Sequence, residues 1–396
     1  MLSCKKKSSN ICYFSSVREI PENVWKELQC TNNLYLQPAY LEALEENNQQ
    51  IQFSYILLFD EKQKAIAFAT IKLVDFYLDS VQNDLQSVVE WIRCIGRKLH
   101  LSSSQKPFKI LTCGNIFVSG EHGIFIKPNQ DKKEIVKQLA EAIVAFEKDI
   151  SKETIDAFML KDFVNESLFI TDALHSVGYN SFNVDPNMKL ILDSDWDTFD
   201  DYLKALKTKY RVKAKKALEK STDLRTEDVT IESLKQLLPE MTLLYKNVSN
   251  KASFNLGYFN VETYTSLKEN LKDDYIIKVY WLGDKLVGFL SGMINQNSLD
   301  AHFVGIDYAV NRAYAVYQRM LYDYISLAID SNLKTINFGR TASEIKSSVG
   351  AVPQDLTIYL RHRKSIPNRI LSLFLNRIQP TEFRLIKPFK IKNIKN

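Results

Sequence analysis

The stretch best suited to chemistry is 336–351, INFGRTASEIKSSVGA. An apolar, strand-like run breaks at Gly339, presents Arg340, and passes through Thr341 or Ser343 as the cap of a short helix that carries Lys346 before Gly350. A strand end feeding a helix N-terminus offers free backbone N–H groups and the positive end of a helix dipole, and a guanidinium adds bidentate donors for phosphate or carboxylate. Alternatively Arg340 pairs with Glu344 and the glycines only make turns. A second cluster, KALKTKYRVKAKKALEK at 204–220, holds Arg211, Lys215 and six further lysines against the single Glu219. Such a run is either a solvated helix face or a surface that meets phosphates.

Other chemistries lack their residues. No GxGxxG or GxxxxGK[ST] loop follows a strand-like run, and there is no GxSxG elbow. The five histidines show no HExxH or other metal spacing, which leaves metal-independent chemistry as the expectation. The five cysteines are odd in number and form no CxxC pair, so they read as reduced, small hydrophobes and not as a disulfide framework or zinc site.

The positioning elements must come from 396 residues, a length that suits two or three domains. Gly and Pro number only 12 and 10, so most of the chain is regular structure. No apolar run reaches the ~18 residues of a membrane span, and the opening MLSCKKKSSN precedes no hydrophobic stretch, which gives the expectation of a soluble, unexported, cytoplasmic protein. The net charge of +5 is uneven, because the segment after 360 carries ten Lys/Arg against one Glu.

Periodicity predicts a helix near 38–46, a hairpin over 52–59 and 65–74, a helix over 84–99, strands at 109–113, 116–118 and 124–126, and a helix through Ile135, Leu139, Ile143 and Phe146. A strand at 155–160, a helix at 166–177 closed by Gly178, and strands at 181–184 and 188–192 complete a first domain, 1–193. The second, 194–360, reads as an acidic helix start, a basic helix 202–220, helices at 231–249 and 260–271, a hairpin over 275–282 and 286–294, a strand at 301–306, a helix at 315–330, and strand, short helix and strand at 335–338, 343–349 and 356–360. Both halves share one order, which points to duplication. The remainder, 361–396, is a basic tail whose segment 366–378 gathers Ile370, Leu371, Phe374, Leu375 and Ile378 on one face. That face suits an anionic membrane surface or RNA, or it packs back on the protein.

The succession of hairpin, third strand, loop, long helix, strand, short helix and strand resembles a GNAT acyltransferase domain, and the chain as a whole resembles the Fem-like tandem-GNAT transferases. The basic helix with Tyr210–Arg211, the hairpin, and FGRTASEIKSSVGAVPQ at 338–354 carry the likeness in the C-terminal half; YLQPAYLEALE at 35–45 and CGNIFVSGEHG at 113–123 carry it in the N-terminal half. The resemblance implies an α/β fold of two tandem GNAT-like domains. It implies transfer of an acyl or aminoacyl group from acyl-CoA or aminoacyl-tRNA to an amine on a small molecule or peptide, such as a peptidoglycan precursor, at the inner face of the membrane. A different class keeps the fold as an inert module that binds RNA or an anionic envelope precursor.

It also implies a pyrophosphate loop of the form Arg/Gln-x-x-Gly-x-Gly/Ala, which aligns with Arg312 to Tyr317 and puts Ala315 in the first glycine position and Tyr317 in the last. Acyl transfer to an amine needs a base, oxyanion stabilisation and protonation of the leaving group. His302 or, through water, Asp307 is the expected base and Tyr317 the expected acid. Arg312, Ala315, Arg340 and Lys346 are expected to hold the cofactor, and Arg211 and Lys215 to guide an anionic substrate.

Overall fold

Long apolar runs become strands whose two faces are both covered. In the computed structural model, which describes residues 5–76, 107–251 and 257–390 apart from positions 9, 150, 152 and 376, strand 65–76 is buried at every position but Asp75. The chain forms two compact units. One comprises Met1–Asp185, Ser253–Thr263 and Asp355–Thr381, the other Pro186–Ala252, Tyr264–Gln354 and Glu382–Asn396. The units are therefore not consecutive segments, as 1–193, 194–360 and 361–396 would be, because strands 180–191 and 352–362 each run from one into the other.

The first unit contains β1 (Lys5–Ser8), β2 (Ile11–Phe14), β3 (Gln52–Phe59), β4 (Ala65–Phe76), β5 (Phe108–Cys113), β6 (Ile124–Ile126), β7 (Ala157–Phe163) and the start of β8 (Asn180–Ile191). Its helices are α1 (Glu22–Leu28), α2 (Pro38–Asn47), α3 (Lys132–Asp149) and the single turn α4 (Leu168–Thr171). The expected hairpin is β3 and β4, antiparallel from Gln52↔Leu73 to Phe59↔Ala65. β5 lies antiparallel to β4 and parallel to β7. Ile135, Leu139, Ile143 and Phe146 of α3 pack with Leu111, Leu160 and Tyr13 in the core, as their spacing predicts.

Several expectations are corrected here. The polar start forms the hairpin β1–β2. Residues 116–118 are not a strand: Gly114 to Gly123 make an excursion between β5, which faces Ile71–Phe76 of β4, and β6, which faces Ala67–Ala69. Asn115 Oδ1 accepts the N–H groups of Phe117 and Val118 at 2.9 and 3.1 Å, and this side-chain turn displaces the ladder. Residues 166–177 form short helical turns instead of one helix, ended by Gly178 at φ 85°. The two strands predicted at 181–192 merge into β8, and the helix predicted at 84–99 lies outside the described residues. Cys30 and Cys113 are buried free thiols, pushed up to about 12 by burial. Cys12 departs from the reduced expectation: it is disulfide-bonded.

The second unit orders its strands as the end of β8, then β13 (Thr335–Asn337), β12 (Ser298–Ile306), β11 (Lys285–Asn295), β10 (Tyr275–Leu282) and β9 (Leu224–Asp228). Its helices are α5 (Phe199–Ala205), α6 (Thr208–Lys220), α7 (Ile231–Ser249), α8 (Thr263–Leu271), α9 (Tyr308–Tyr314), α10 (Val316–Asp330) and α11 (Ser343–Ser348), and β14 (Val352–His362) follows. A Thr198–Asp201 capping box starts α5, which the acidic segment foreshadows. The predicted helix 202–220 is two helices, because Leu206 turns extended and buries its side chain while the Lys207 N–H donates to Pro388 O at 2.8 Å.

The basic tail is divided as well. Its helix α12 (Ser365–Leu375) buries Leu371 and Leu375 and exposes Ile366 and Leu373, so the apolar face packs back on the protein. Farther on, Phe389 packs tilted against Trp196 and edge-on to Tyr202 in the second unit. Among the described residues no helix is long and apolar enough to cross a membrane.

The neck of the 114–123 excursion gives a stability prediction. A Cβ on Gly123 would lie 2.6 Å from the backbone of Gly114. Gly123→Ala should lower the urea midpoint, by about 1–3 kcal/mol of unfolding free energy, in equilibrium denaturation followed by circular dichroism.

Candidate functional site

The third strand of the second unit carries an irregularity that organises its surroundings. β11 and β12 pair in register at Leu290↔Val304 and at Gly292↔Ala301, so His302 and Phe303 together oppose the single residue Ser291. This is a β-bulge, which bends and twists the strand that holds the extra residue. The Ser291 hydroxyl closes it, accepting the Phe303 N–H at 3.1 Å and donating to Phe303 O at 3.0 Å.

On its other edge β12 pairs in parallel with β13 only from Ser298↔Thr335 to Asp300↔Asn337. Beyond Asp300 the two strands part, and β13 gives way to Phe338, Gly339 and Arg340. At the last shared rung the Asp300 carboxylate, 2% exposed, accepts Asn337 Nδ2 at 2.6 Å and the Ser298 hydroxyl at 2.9 Å. Asn187 Nδ2 donates to Asn337 Oδ1 at 3.1 Å, and Asn187 Oδ1 accepts the Gly339 N–H at 3.1 Å. One chain of hydrogen bonds thus runs from the strand to the loop that bears Arg340.

The 339–346 loop and helix gather the two cations that the sequence singled out. Gly339 and Ala342 adopt φ 76° and 57°, and the Ser343 hydroxyl donates to Arg340 O at 3.1 Å. Lys346 is 4% exposed and its Nζ donates to Gly339 O at 3.3 Å; burial lowers its ammonium to about 7. Burial also lowers the Arg340 guanidinium, to about 10. Two desolvated cations on the loop and helix that follow β13 favour an anion or a developing oxyanion.

The other sequence-predicted residues lie apart. His302 shares a face of β12 with Asp300, against Tyr264 and Phe303, and its Nδ1 is 3.2 Å from the Tyr275 hydroxyl. Burial pulls it down to about 3. Tyr317 packs instead into the core around α10, on the face that takes Ala301 and Val304, and burial raises its phenol. His302 and Tyr317 are therefore on opposite faces of the sheet. Asp307 caps α9 through the Ala309 N–H and pairs with Lys285 at 2.7 Å, contacts that hold its carboxyl below the ordinary range.

Ala315, aligned with a glycine, has φ 49°, the left-handed conformation a glycine would take there. The segment before it is helix α9, with Arg312 exposed, and the Tyr317 N–H at the start of α10 donates to Asn311 Oδ1 at 2.9 Å. One backbone donor of that helix end is thus already engaged.

The basic helix α6 borders a groove of about 540 Å³. Lys209, Lys213, Lys216 and Lys220 line it with Gln318 of α10 and Arg384. Arg211, half-buried, and Lys215, exposed, fall on another stripe of the same helix. Asp300, Asn187 and Asn337 were not singled out from sequence. The available signal was the period of two that puts Asp300 on the face of His302.

No family model matches the chain, and no curated protein matches it either. The fold is α/β with two tandem GNAT-like domains, as the resemblance implied. It is similar to the crystal structure of FemX, at 11% identity over 89% of this chain and 98% of that one, with a TM-score of 0.53. It is likewise similar to L-PGS from Bacillus licheniformis, at 10% identity over 91% of this chain and 98% of that one, with a TM-score of 0.50.

Two measurements check the local geometry. Ala315→Gly should raise the thermal midpoint, stabilising the fold by up to about 1 kcal/mol, since alanine is strained at this φ. For His302 the unfolded imidazole titrates near 6.5 and the folded one near 3, so protons bind the unfolded state preferentially. Stability should fall as pH drops from about 6.5 towards 3, and His302→Gln should make that dependence shallower in urea titrations taken across the interval.

Proposed function

We propose that the protein is an acyltransferase that joins an acyl or aminoacyl group to an amine, with its chemistry at the parting of β12 and β13. The observation that carries this reading is the strand opening after Asp300, where β13 passes into the loop of Arg340 and Lys346 Nζ donates to Gly339 O. In the reaction the acceptor nitrogen bonds to the donor carbonyl carbon, the carbonyl bond to the donor oxygen or sulfur breaks, and the amine proton must be removed. A base works best when its pKa lies near the working pH. Lys346, lowered to about 7, meets that condition; His302, near 3, does not. Lys346 takes the amine proton and returns it to the departing donor oxygen or sulfur, Arg340 stabilises the carbonyl oxygen, and Asp300, Asn337 and Asn187 position the loop that holds both.

The donor is assigned to aminoacyl-tRNA in preference to acyl-CoA. Helix α9 occupies the segment that a glycine-rich phosphate loop would take, and Asn311 engages one N–H of α10, whereas the lysines of the α6 groove offer a long polyanion several phosphate contacts. The acceptor is an amine on a small molecule or peptide, with an envelope precursor as the leading substrate class.

Turnover with aminoacyl-tRNA and acyl-CoA panels tests the chemistry. Lys346→Met should lower kcat by on the order of 10²-fold or more, and the wild-type rate should rise with pH through about 7 as Lys346 loses its proton. His302→Gln should leave kcat nearly unchanged. Equal losses in both variants would return the base to His302. Thermal stabilisation by tRNA, abolished when Lys209, Lys213, Lys216 and Lys220 are changed to Glu, is expected; stabilisation by acyl-CoA alone would transfer the donor assignment to the thioester, and turnover with neither would sink the enzyme reading.

A further inference from the structure

The first unit holds a cavity of its own. β5 and β7 pair only as far as Cys113↔Leu160, and about 250 Å³ opens beside that end. The walls are apolar, made by Ile124, Ile126, Val136, Phe163 and Ile170. A single carboxylate, Glu121, lines the space, beside the hydroxyls of Ser167 and Thr171.

Glu121 is oriented but not neutralised. It accepts the Val164 N–H at 2.7 Å and the Ser167 hydroxyl at 2.9 Å, both uncharged donors. Among the described residues it forms no ion pair: Lys161, which also lines the cavity, is committed to Asp162 and to Asn115 O, and Lys132 is exposed in the first turn of α3. Burial and the neighbouring Glu166 both push its carboxyl up, as expected for an anion that lacks a counter-ion.

The loop that presents Glu121 is over-determined. Gly114 and Gly120 sit at φ 137° and 127°, Asp162 at φ 71°, and the buried Lys72 ammonium donates to Gly114 O at 2.9 Å and to the Thr70 hydroxyl at 2.7 Å. Only Asp162, on β7, is a non-glycine in this left-handed region, and its carboxylate accepts the Gly120 N–H at 3.3 Å; strain of that kind persists where the surroundings enforce it and clusters at binding sites. A fixed carboxylate at the end of a small apolar cavity complements an ammonium on an aliphatic stem.

We propose that this cavity binds a primary alkylammonium, with the charge on Glu121 and the Ser167 and Thr171 hydroxyls and the carbon chain against the apolar wall. The volume falls just under the about 300–1,000 Å³ of pockets that take drug-sized ligands, so the ligand is a short one. It is a free amine or the side chain of a lysine-like residue in a peptide. The site lies within the first unit and does not depend on the transferase reading.

Thermal titration of the full chain, followed by calorimetry, tests it without any turnover. The probes are pentylamine and Nα-acetyl-lysine methylamide, which separate the free from the peptide-borne amine, with pentanol and pentanoate as uncharged and anionic counterparts. A saturable rise in melting temperature with one or both amines, and none with the counterparts, is expected. Glu121→Gln should weaken binding by about tenfold or more, the loss of one charge-assisted contact. Ile170→Trp, which fills the cavity and keeps the carboxylate, should abolish it, and this variant decides the matter if Glu121→Gln does not fold. No saturable rise with either amine, or binding that survives a folded Glu121→Gln or Ile170→Trp, overturns the proposal.

Discussion

The geometry of the second unit depends on one backbone mismatch, two residues of β12 set against one of β11. A strand in a sheet must satisfy N–H and C=O groups on both edges. At the bulge the ladder cannot satisfy all of them, and the Ser291 hydroxyl supplies the missing partner by both accepting from and donating to Phe303. With that edge closed, β12 can bend away from β13 after three paired residues. The buried Asp300 then fixes where the parting begins, because its carboxylate is tied to Asn337 on the neighbouring strand. Everything that gathers at the opening follows from this, including the Gly339–Lys346 loop held through Asn187.

The first unit meets the corresponding demand by other means. Its third strand is also interrupted, here by a ten-residue excursion that leaves after Cys113 and returns at Ile124. Thr70 stands opposite the gap: its N–H donates to Gly123 O at 2.9 Å and its carbonyl accepts the Gly114 N–H at 3.4 Å. Lysine ammoniums, not a serine hydroxyl, satisfy the carbonyls of the interruption, through Lys72 on Gly114 and Lys161 on Asn115. The two halves thus share an order of elements and a broken third strand while solving the break with different side chains, which is why no letter-by-letter repeat is visible.

What the sequence disclosed follows from how local each feature is. The hairpins 52–76 and 275–295 and the helix 231–249 are written in unbroken periodicity, and they form where it places them. The helix break at Leu206 was hidden, since leucine is a good helix residue and the chain is turned there by the contact with Pro388, and helix α9 ahead of Ala315 was not read. Of the site, Arg340 and Lys346 were legible because a glycine-flanked strand end is a local signal. Asp300, Asn337 and Asn187 were not, because their meaning lies in contacts 37 and 150 residues apart in the chain. His302 was read from its residue type, and the aromatic packing that desolvates it comes from Tyr264 and Tyr275, which only the fold brings near.

The interleaving of the two units sets the order in which the chain can be completed. Most of the first unit precedes the second in the sequence, yet its strand segment 355–362 and its helix at 365–375 come after the strands of the second unit. β7 therefore waits for its partner Thr357–His362 until the strands of the second unit have been made. The second unit, whose strands lie mostly between 224 and 337, can assemble its sheet sooner. During synthesis the half that starts first is thus the half that finishes late, with an open sheet edge in the interim that invites pairing with other chains.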